Sequence, residues 1–222
     1  MHKNLVSFPD TNNIITKHQF GFRSGLSTFL ALNQLHNYIL RLNDSGHTCG
    51  IFLDLKKAFG IVNHKILLDK LNHYGNRGLA LDFFTSYLKN RQQFVFANGV
   101  QSDKMQITCG VPQVSSLGPV LFLLYINDLP LSSNLFCNIF ADDTALLISD
   151  TDPNNLENKT NIEIHSVFNW LQKNKLTLNL SKTKTILFNN HNRPVTLNIN
   201  CNNVPLEQVN STKYLGTTLI PI

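Results

Sequence analysis

Charge is what this chain has least of. Only 15% of its 222 residues are Asp, Glu, Lys or Arg, against roughly 25% in an ordinary globular domain. Much of the polar surface must therefore come from uncharged side chains, and asparagine is plentiful. The shortage falls harder on the acids, 14 against 19 bases, leaving a net charge of +5 and a pI near 9.0. A weakly basic balance suits a polyanionic partner without demanding one. Cysteine is sparse too. Cys49, Cys109, Cys137 and Cys201 stand far apart, with no C-x-x-C pair or Cys/His cluster. That excludes the usual zinc spacings, and reduced, mostly buried thiols of an intracellular protein are the simplest reading. None of the eight histidines is paired at ligand spacing, so none is assigned to catalysis.

Long apolar runs are also missing. The longest, VLFLLYI at 120–126, falls far short of the ~20 residues that span a bilayer. The opening stretch MHKNLVSFPD lacks the apolar centre of a signal peptide. The expectation is a soluble intracellular protein, nuclear or cytoplasmic, with no membrane partner. No internal repeat, low-complexity segment or linker interrupts the chain, whose length suits one domain or one and a fraction.

What is present is an alternation of helix and strand signals. Turn-prone Gly21, Ser24 and Gly25 precede Leu32, Leu35, Ile39 and Leu42 at helical spacing. CGIFLDL (49–55) reads as a buried strand. VNHKILLDKLNHYG (62–75) reads as a helix stopped by Gly75, and LALDFFTSYLKN (79–90) as another. Asn98-Gly99 between two strand-like runs marks a hairpin. SLGPVLFLLYINDL (116–129) is apolar on nearly every side and predicts a buried helix; 136–149 reads as a second hairpin. Asp152 as N-cap and Pro153 at the first helical position open a helix whose apolar face carries Leu156, Ile164, Val167, Phe168 and Leu171. KTILF (184–188), VTLNIN (195–200) and KYLGTTL (213–219) read as short strands. Helices interleaved with mostly antiparallel strands make an α+β fold.

The second hairpin raises a chemical question. CNIFADDTALLISD (137–150) sets Asp142 and Asp143 side by side between apolar flanks. A solvated turn is the ordinary home of such a pair. The apolar flanks argue instead for a turn held by a buried ladder, and clustered carboxylates are commonly relieved by a cation. Asp54 ends the run GIFLDL, where a buried strand leaves the core. One carboxylate at one strand end and a pair at another match what two Mg²⁺ ions about 3.5–4 Å apart require, hard oxygens shared from different strands.

These residues also resemble a family. GIFLDLKKAFGIVNHKILLDKL (50–71), GVPQVSSLGPVLFLLYINDLP (110–130) and IFADDTALLIS (139–149) resemble, in order, the three palm motifs of reverse transcriptases, most closely those of jockey-like non-long-terminal-repeat retrotransposons. QFGFRSGLST (19–28) resembles the segment upstream of the first motif. NKLTLNLSKTKTILF (174–188) and STKYLGTTL (211–219) resemble the fourth motif and the strand turn after it. The resemblance implies a polymerase palm, an antiparallel sheet packed on helices. It implies a single partial reverse transcriptase domain, with a fingers remnant over 1–48, the palm over 49–222 and the thumb absent. The implied reaction is RNA-templated DNA synthesis, by two-metal nucleotidyl transfer from deoxynucleoside triphosphates to a primer 3′-end. RNA template, DNA primer and deoxynucleoside triphosphates are the implied partners. Two Mg²⁺ ions, with Mn²⁺ able to substitute, are the implied cofactors.

By the same resemblance Asp54, Asp142 and Asp143 hold the metals, Asp54 and Asp142 bridging both ions. Lys182 protonates the pyrophosphate leaving group; an ordinary exposed lysine is the alternative. Phe59 crowds a 2′-hydroxyl, or is a core residue beneath a helix. Gln113 and Leu55 contact substrate, and Arg23 is a candidate phosphate contact. Lys173, Lys175, Lys182 and Lys184 either touch backbone phosphates or form a wet face. Two positions depart from the family: Val114 replaces a glycine and Gly60 an aspartate. Relatives carry further fingers upstream and a thumb downstream, as segments of a parent polyprotein. A palm without them loses positioning, so the rival reading is an inactive retrotransposon-derived remnant, at most a weak nucleic-acid binder. A related palm polymerase that makes RNA is a third reading, against which Phe59 argues.

Overall fold

The computed structural model describes residues 8–43, 46–112, 115–189 and 195–221. Gln113 and Val114 lie outside the described residues. The elements run α1 (Thr28–Asn43), β1 (His47–Leu53), α2 (His64–His73), α3 (Leu79–Leu88), α4 (Leu117–Ile126), β2 (Phe136–Phe140), β3 (Asp143–Asp150), α5 (Pro153–Lys173), β4 (Lys184–Asn189) and β5 (Glu207–Gln208), besides short two-stranded ribbons. They fall into two compact units: Ile15–Lys56 with Asn127–Ile222, and Met1–Ile14 with Lys57–Ile126.

The first unit is built on a five-stranded sheet in the order β5-β4-β1-β3-β2. Its neighbours are antiparallel except β5, which runs parallel to β4. β1 is central and buried along its whole length, so its run of apolar residues has a partner strand on both sides. Leu35 and Ile39 of α1, one helical turn apart, pack with Phe52, Ala145, Leu147, Ile186 and Phe188, and Tyr214 joins the same cluster. α5 packs against β1 and β3 and buries Leu156, Ile164, Val167 and Leu171. As the sequence predicts, Asp152 caps it, accepting from the Asn154 N–H at 3.0 Å, with Pro153 opening the helix.

In the second unit α4 is buried on every side, which explains its unbroken apolar run. It packs on α2, whose first turn is capped by the Asn63 side chain accepting from the Ile66 N–H at 3.1 Å. The hairpin at Asn98-Gly99 forms as expected. Phe96 pairs with Gln101 and Ala97 with Val100, around two residues of positive φ, Asn98 at 51° and Gly99 at 77°. Two positive φ values in a two-residue loop are what the right-handed twist of a hairpin favours.

Two strand expectations are corrected. Only Asn200 of VTLNIN enters a strand; 195–199 is irregular. Its backbone donors are captured by side chains instead of a ladder. Leu197 N–H donates to Gln208 Oε1 at 2.8 Å, Asn198 N–H to Glu157 Oε2 at 2.6 Å, and Asn200 N–H to Asn161 Oδ1 at 2.7 Å. KYLGTTL forms not one strand but a hairpin, Thr212–Tyr214 against Thr217–Leu219, because Leu215 and Gly216 take φ of 50° and 79°. Cys49, Cys137 and Cys201 are buried thiols and Cys109 is exposed. Among the described residues no helix is long and apolar enough to cross a membrane.

Candidate active site

The register of β1 against β3 assembles the carboxylates. Phe52 pairs with Ala145 and Leu53 with Thr144, so one step further Asp54 falls opposite Asp143. Side chains alternate along a strand, and directly opposed residues share a face. Asp54 and Asp143 therefore project on the face that Phe52 and Ala145 line. Phe140 pairs with Asp143, which leaves Ala141 and Asp142 as the two-residue loop joining β2 to β3. Ala141 takes φ of 56°, a left-handed conformation that costs a residue with a Cβ. Asp142 stands half-buried at the tip, directly after it.

The backbone at Asp54 is pinned. Its N–H donates to Thr183 Oγ1 at 3.3 Å and its carbonyl accepts from the Asn179 N–H at 2.7 Å. Leu55 bridges Leu178, and Lys56 N–H donates to the Thr177 carbonyl at 2.8 Å. The turn at 179–183 is thus docked on the strand end that carries Asp54, and exposed Lys182 rides on that turn. Sequence reasoning placed Asp54, Leu55, Asp142, Asp143 and Lys182 together, and the fold brings their backbones to one region of the sheet.

Electrostatics report the same proximity. Burial raises the Asp143 carboxyl above the usual carboxylate range, and the negative charges of Asp142 and Asp54 raise it further. Among the described residues, however, no three His, Cys, Asp or Glu side chains converge into a ready metal cage. The donor set is all hard oxygen, which fits Mg²⁺ or Mn²⁺ and not a thiolate-seeking metal.

Arg23 Nη1 donates to the carbonyls of Thr16 at 3.3 Å and Gln19 at 3.4 Å, so part of its guanidinium braces its own loop. Phe59 lies in the second unit, 8% exposed, its ring stacked on Phe122 with centroids 4.3 Å apart. Gly60 does not need to be glycine for space: a Cβ there meets nothing nearer than Lys57 Cβ at 3.8 Å. Lys184 is paired with Glu207, while Lys173 and Lys175 are exposed.

Sequence reasoning missed a cavity of about 610 Å³ in the second unit, where Lys57 and Arg91 lie with Gln93, Gln106 and Gly110. Lone basic residues far apart in sequence gave no signal. It also missed Asn138, buried at 0% exposure. Its Nδ2 donates to the Ala31 carbonyl and to Gln34 Oε1, both at 3.0 Å. The Tyr214 hydroxyl lies 2.9 Å from its carbonyl and from its Oδ1.

Comparison with known proteins identifies a family and a fold. Residues 1–219 match the family described as "Reverse transcriptase (RNA-dependent DNA polymerase)". The chain is 31% identical over 227 residues to the probable RNA-directed DNA polymerase from transposon X-element of Drosophila melanogaster, covering 97% of this chain and 24% of that protein. It is 32% identical over 222 residues to the corresponding protein from transposon BS of the same organism, covering 93% and 24%. To the RNA-directed DNA polymerase from mobile element jockey it is 28% identical, covering 97% and 24%. The chain therefore spans about a quarter of the length of these relatives. Among solved structures, apo telomerase from Candida tropicalis superposes with a TM-score of 0.65 at 14% identity, over 98% of this chain and 39% of that one. Candida albicans telomerase, solved with a fragment of telomeric RNA, gives 0.63 at 14% identity, over 99% and 36%. At that identity the likeness is one of fold.

Proposed function

The chain belongs to the reverse transcriptase (RNA-dependent DNA polymerase) family, and from that premise we propose that it is the palm segment of a retrotransposon polymerase, carrying the carboxylates for RNA-templated DNA synthesis. The observation that supports this reading best is the β1–β3 register, whose last pair, Leu53 with Thr144, leaves Asp54 and Asp143 as the next residues at the same end of the ladder, beside the Asp142 turn. The partners are an RNA template, a DNA primer and deoxynucleoside triphosphates.

Asp54 and Asp142 would hold the two divalent ions, and Asp143 would add negative charge beside them. Mg²⁺, or Mn²⁺ in its place, supplies positive charge against the charge that develops on the transferred phosphoryl group and its leaving oxygen. Lys182, on the turn that bonds to Asp54, donates a proton to the leaving pyrophosphate. The preference for deoxynucleotides is assigned to Phe59, and template or nucleotide contact to Gln113 and Leu55, on the family resemblance. Arg23, whose Nη1 braces its own loop, is assigned a phosphate contact on the same resemblance.

Primer extension on an RNA template with Mg²⁺ or Mn²⁺ tests the reading, with Asp142→Ala as control. The expected outcome is extension by the natural chain and a loss of about 10²-fold or more in the variant, the scale of removing one preorganised electrostatic contact. Equal signal from the two proteins removes the enzyme and leaves the inactive remnant.

A further inference from the structure

Residues 18–21 form an added edge along β2. Phe20 N–H donates to the Ile139 carbonyl at 2.7 Å, and Ile139 N–H donates to the His18 carbonyl at 2.9 Å. His18 Nδ1 lies 2.9 Å from the Cys137 carbonyl. Between these backbone bonds sits Gln19, 1% exposed. Its Oε1 accepts twice, from the Gly21 N–H at 2.8 Å and from the Ala141 N–H at 2.9 Å. Ala141 is the residue before Asp142, and the one in the left-handed conformation. Lying in the loop, its N–H has no ladder partner, and it is 5% exposed, so water is no substitute. Gly21 closes over the same point: a Cβ there would stand 2.5 Å from the Ala141 nitrogen.

We propose that Gln19 is a positioning residue for the Asp142 turn: its carboxamide oxygen holds the Ala141 N–H, locks the loop in its disfavoured conformation and so fixes where Asp142 stands. The function of that placement rests on the reading of Asp142 as a metal ligand. The chemistry of the side chain singles out the oxygen. Gln19 Nε2 is buried with no partner among the described residues, a cost that an apolar side chain of similar size would avoid. What glutamine contributes at this position is therefore its acceptor and not its volume. Arg23 supports the arrangement from behind by donating to the Gln19 carbonyl.

The test compares the natural chain with Gln19→Met, Gln19→Glu and Asp142→Ala. Amide hydrogen exchange is read at Ala141, and Mn²⁺ binding is read by water-proton relaxation without nucleotide or nucleic acid. Gln19→Met fills the same space without an acceptor. It should lose protection at Ala141 and bind Mn²⁺ about 10–100-fold more weakly, the usual effect of removing an outer partner of a metal site. Gln19→Glu retains an acceptor oxygen and should keep the protection. If Gln19→Met does not fold, Gln19→Asn, one methylene too short to reach, takes its place with the same expected result. Natural protection at Ala141 and natural Mn²⁺ affinity in the shortened or apolar variant overturn the proposal. Equal Mn²⁺ binding by the natural chain and Asp142→Ala overturns instead the reading of Asp142, and with it the purpose assigned to Gln19. Exchange at Ala141 reports separately on the clamp.

Discussion

Asp143 carries a tension that the fold creates. Burial first, then the charges of Asp142 and Asp54, raise its carboxyl above the ordinary range. The folded chain therefore holds that proton more tightly than the unfolded chain. The resulting stabilisation is fully present below the ordinary carboxylate range and is lost as pH rises through the raised value. Although neighbours desolvate its carboxyl, a sizeable part of Asp143 stays open to water, so solvent screening limits the size of the effect. Asp143→Asn should remove this pH slope and stabilise the metal-free chain at neutral pH; parallel stability curves for variant and natural chain, from urea midpoints between acid and neutral pH, would contradict it. Single residues were legible to different degrees. Asp54, Asp142 and Asp143 stood out because carboxylates interrupting apolar runs are costly without a purpose. Gln19 did not, because an uncharged residue in a turn-prone stretch carries no such signal and its partner lies 122 positions away.

Elements with local chemistry were the readable ones. α5 announced itself through Asp152 and Pro153, and the first hairpin through Asn98-Gly99, since caps and tight turns are satisfied within a few residues. The run 195–199 misled because Glu157, Asn161 and Gln208 take its donors, and no alternation pattern records what distant side chains will bind. The ribbon at 212–219 belongs to the same class of long-range attachment. Tyr214 packs in the core with Phe52 and Ala145 and reaches Asn138 on β2. Burial drives its hydroxyl well above the ordinary tyrosine value, with the charge of Asp143 adding to the rise, so it remains a neutral donor. Tyr214→Phe should cost about 1 kcal/mol, the net worth of one such hydrogen bond. The check is a lower urea midpoint with an unchanged slope; an unchanged midpoint would mean that the bond contributes nothing.

At the scale of the whole molecule, strand order is what no local pattern disclosed. Composition and periodicity gave an α+β mixture, and motif order gave the family, but β1 must pair with β3 for Asp54 to meet Asp143, and it pairs with β4 on its other side. That placement depends on how closely three strands pack at one point, Gly50. Its neighbours in register are Leu147 on β3 and Ile186 on β4. A Cβ on Gly50 would stand 2.9 Å from the Phe188 ring, 3.2 Å from Leu147 and 3.3 Å from the Phe52 ring, inside any comfortable contact. Gly50→Ala should therefore overpack the centre of the sheet and cost about 1–3 kcal/mol. It should weaken Mn²⁺ binding as well, because Phe52 lies two residues before Asp54 on the same face. A double-mutant cycle with Phe188→Leu separates steric crowding from any general dislike of alanine at the site. Crowding predicts that Gly50→Ala is markedly less harmful once the ring is gone, whereas equal cost in both backgrounds would place the need for glycine elsewhere than against Phe188.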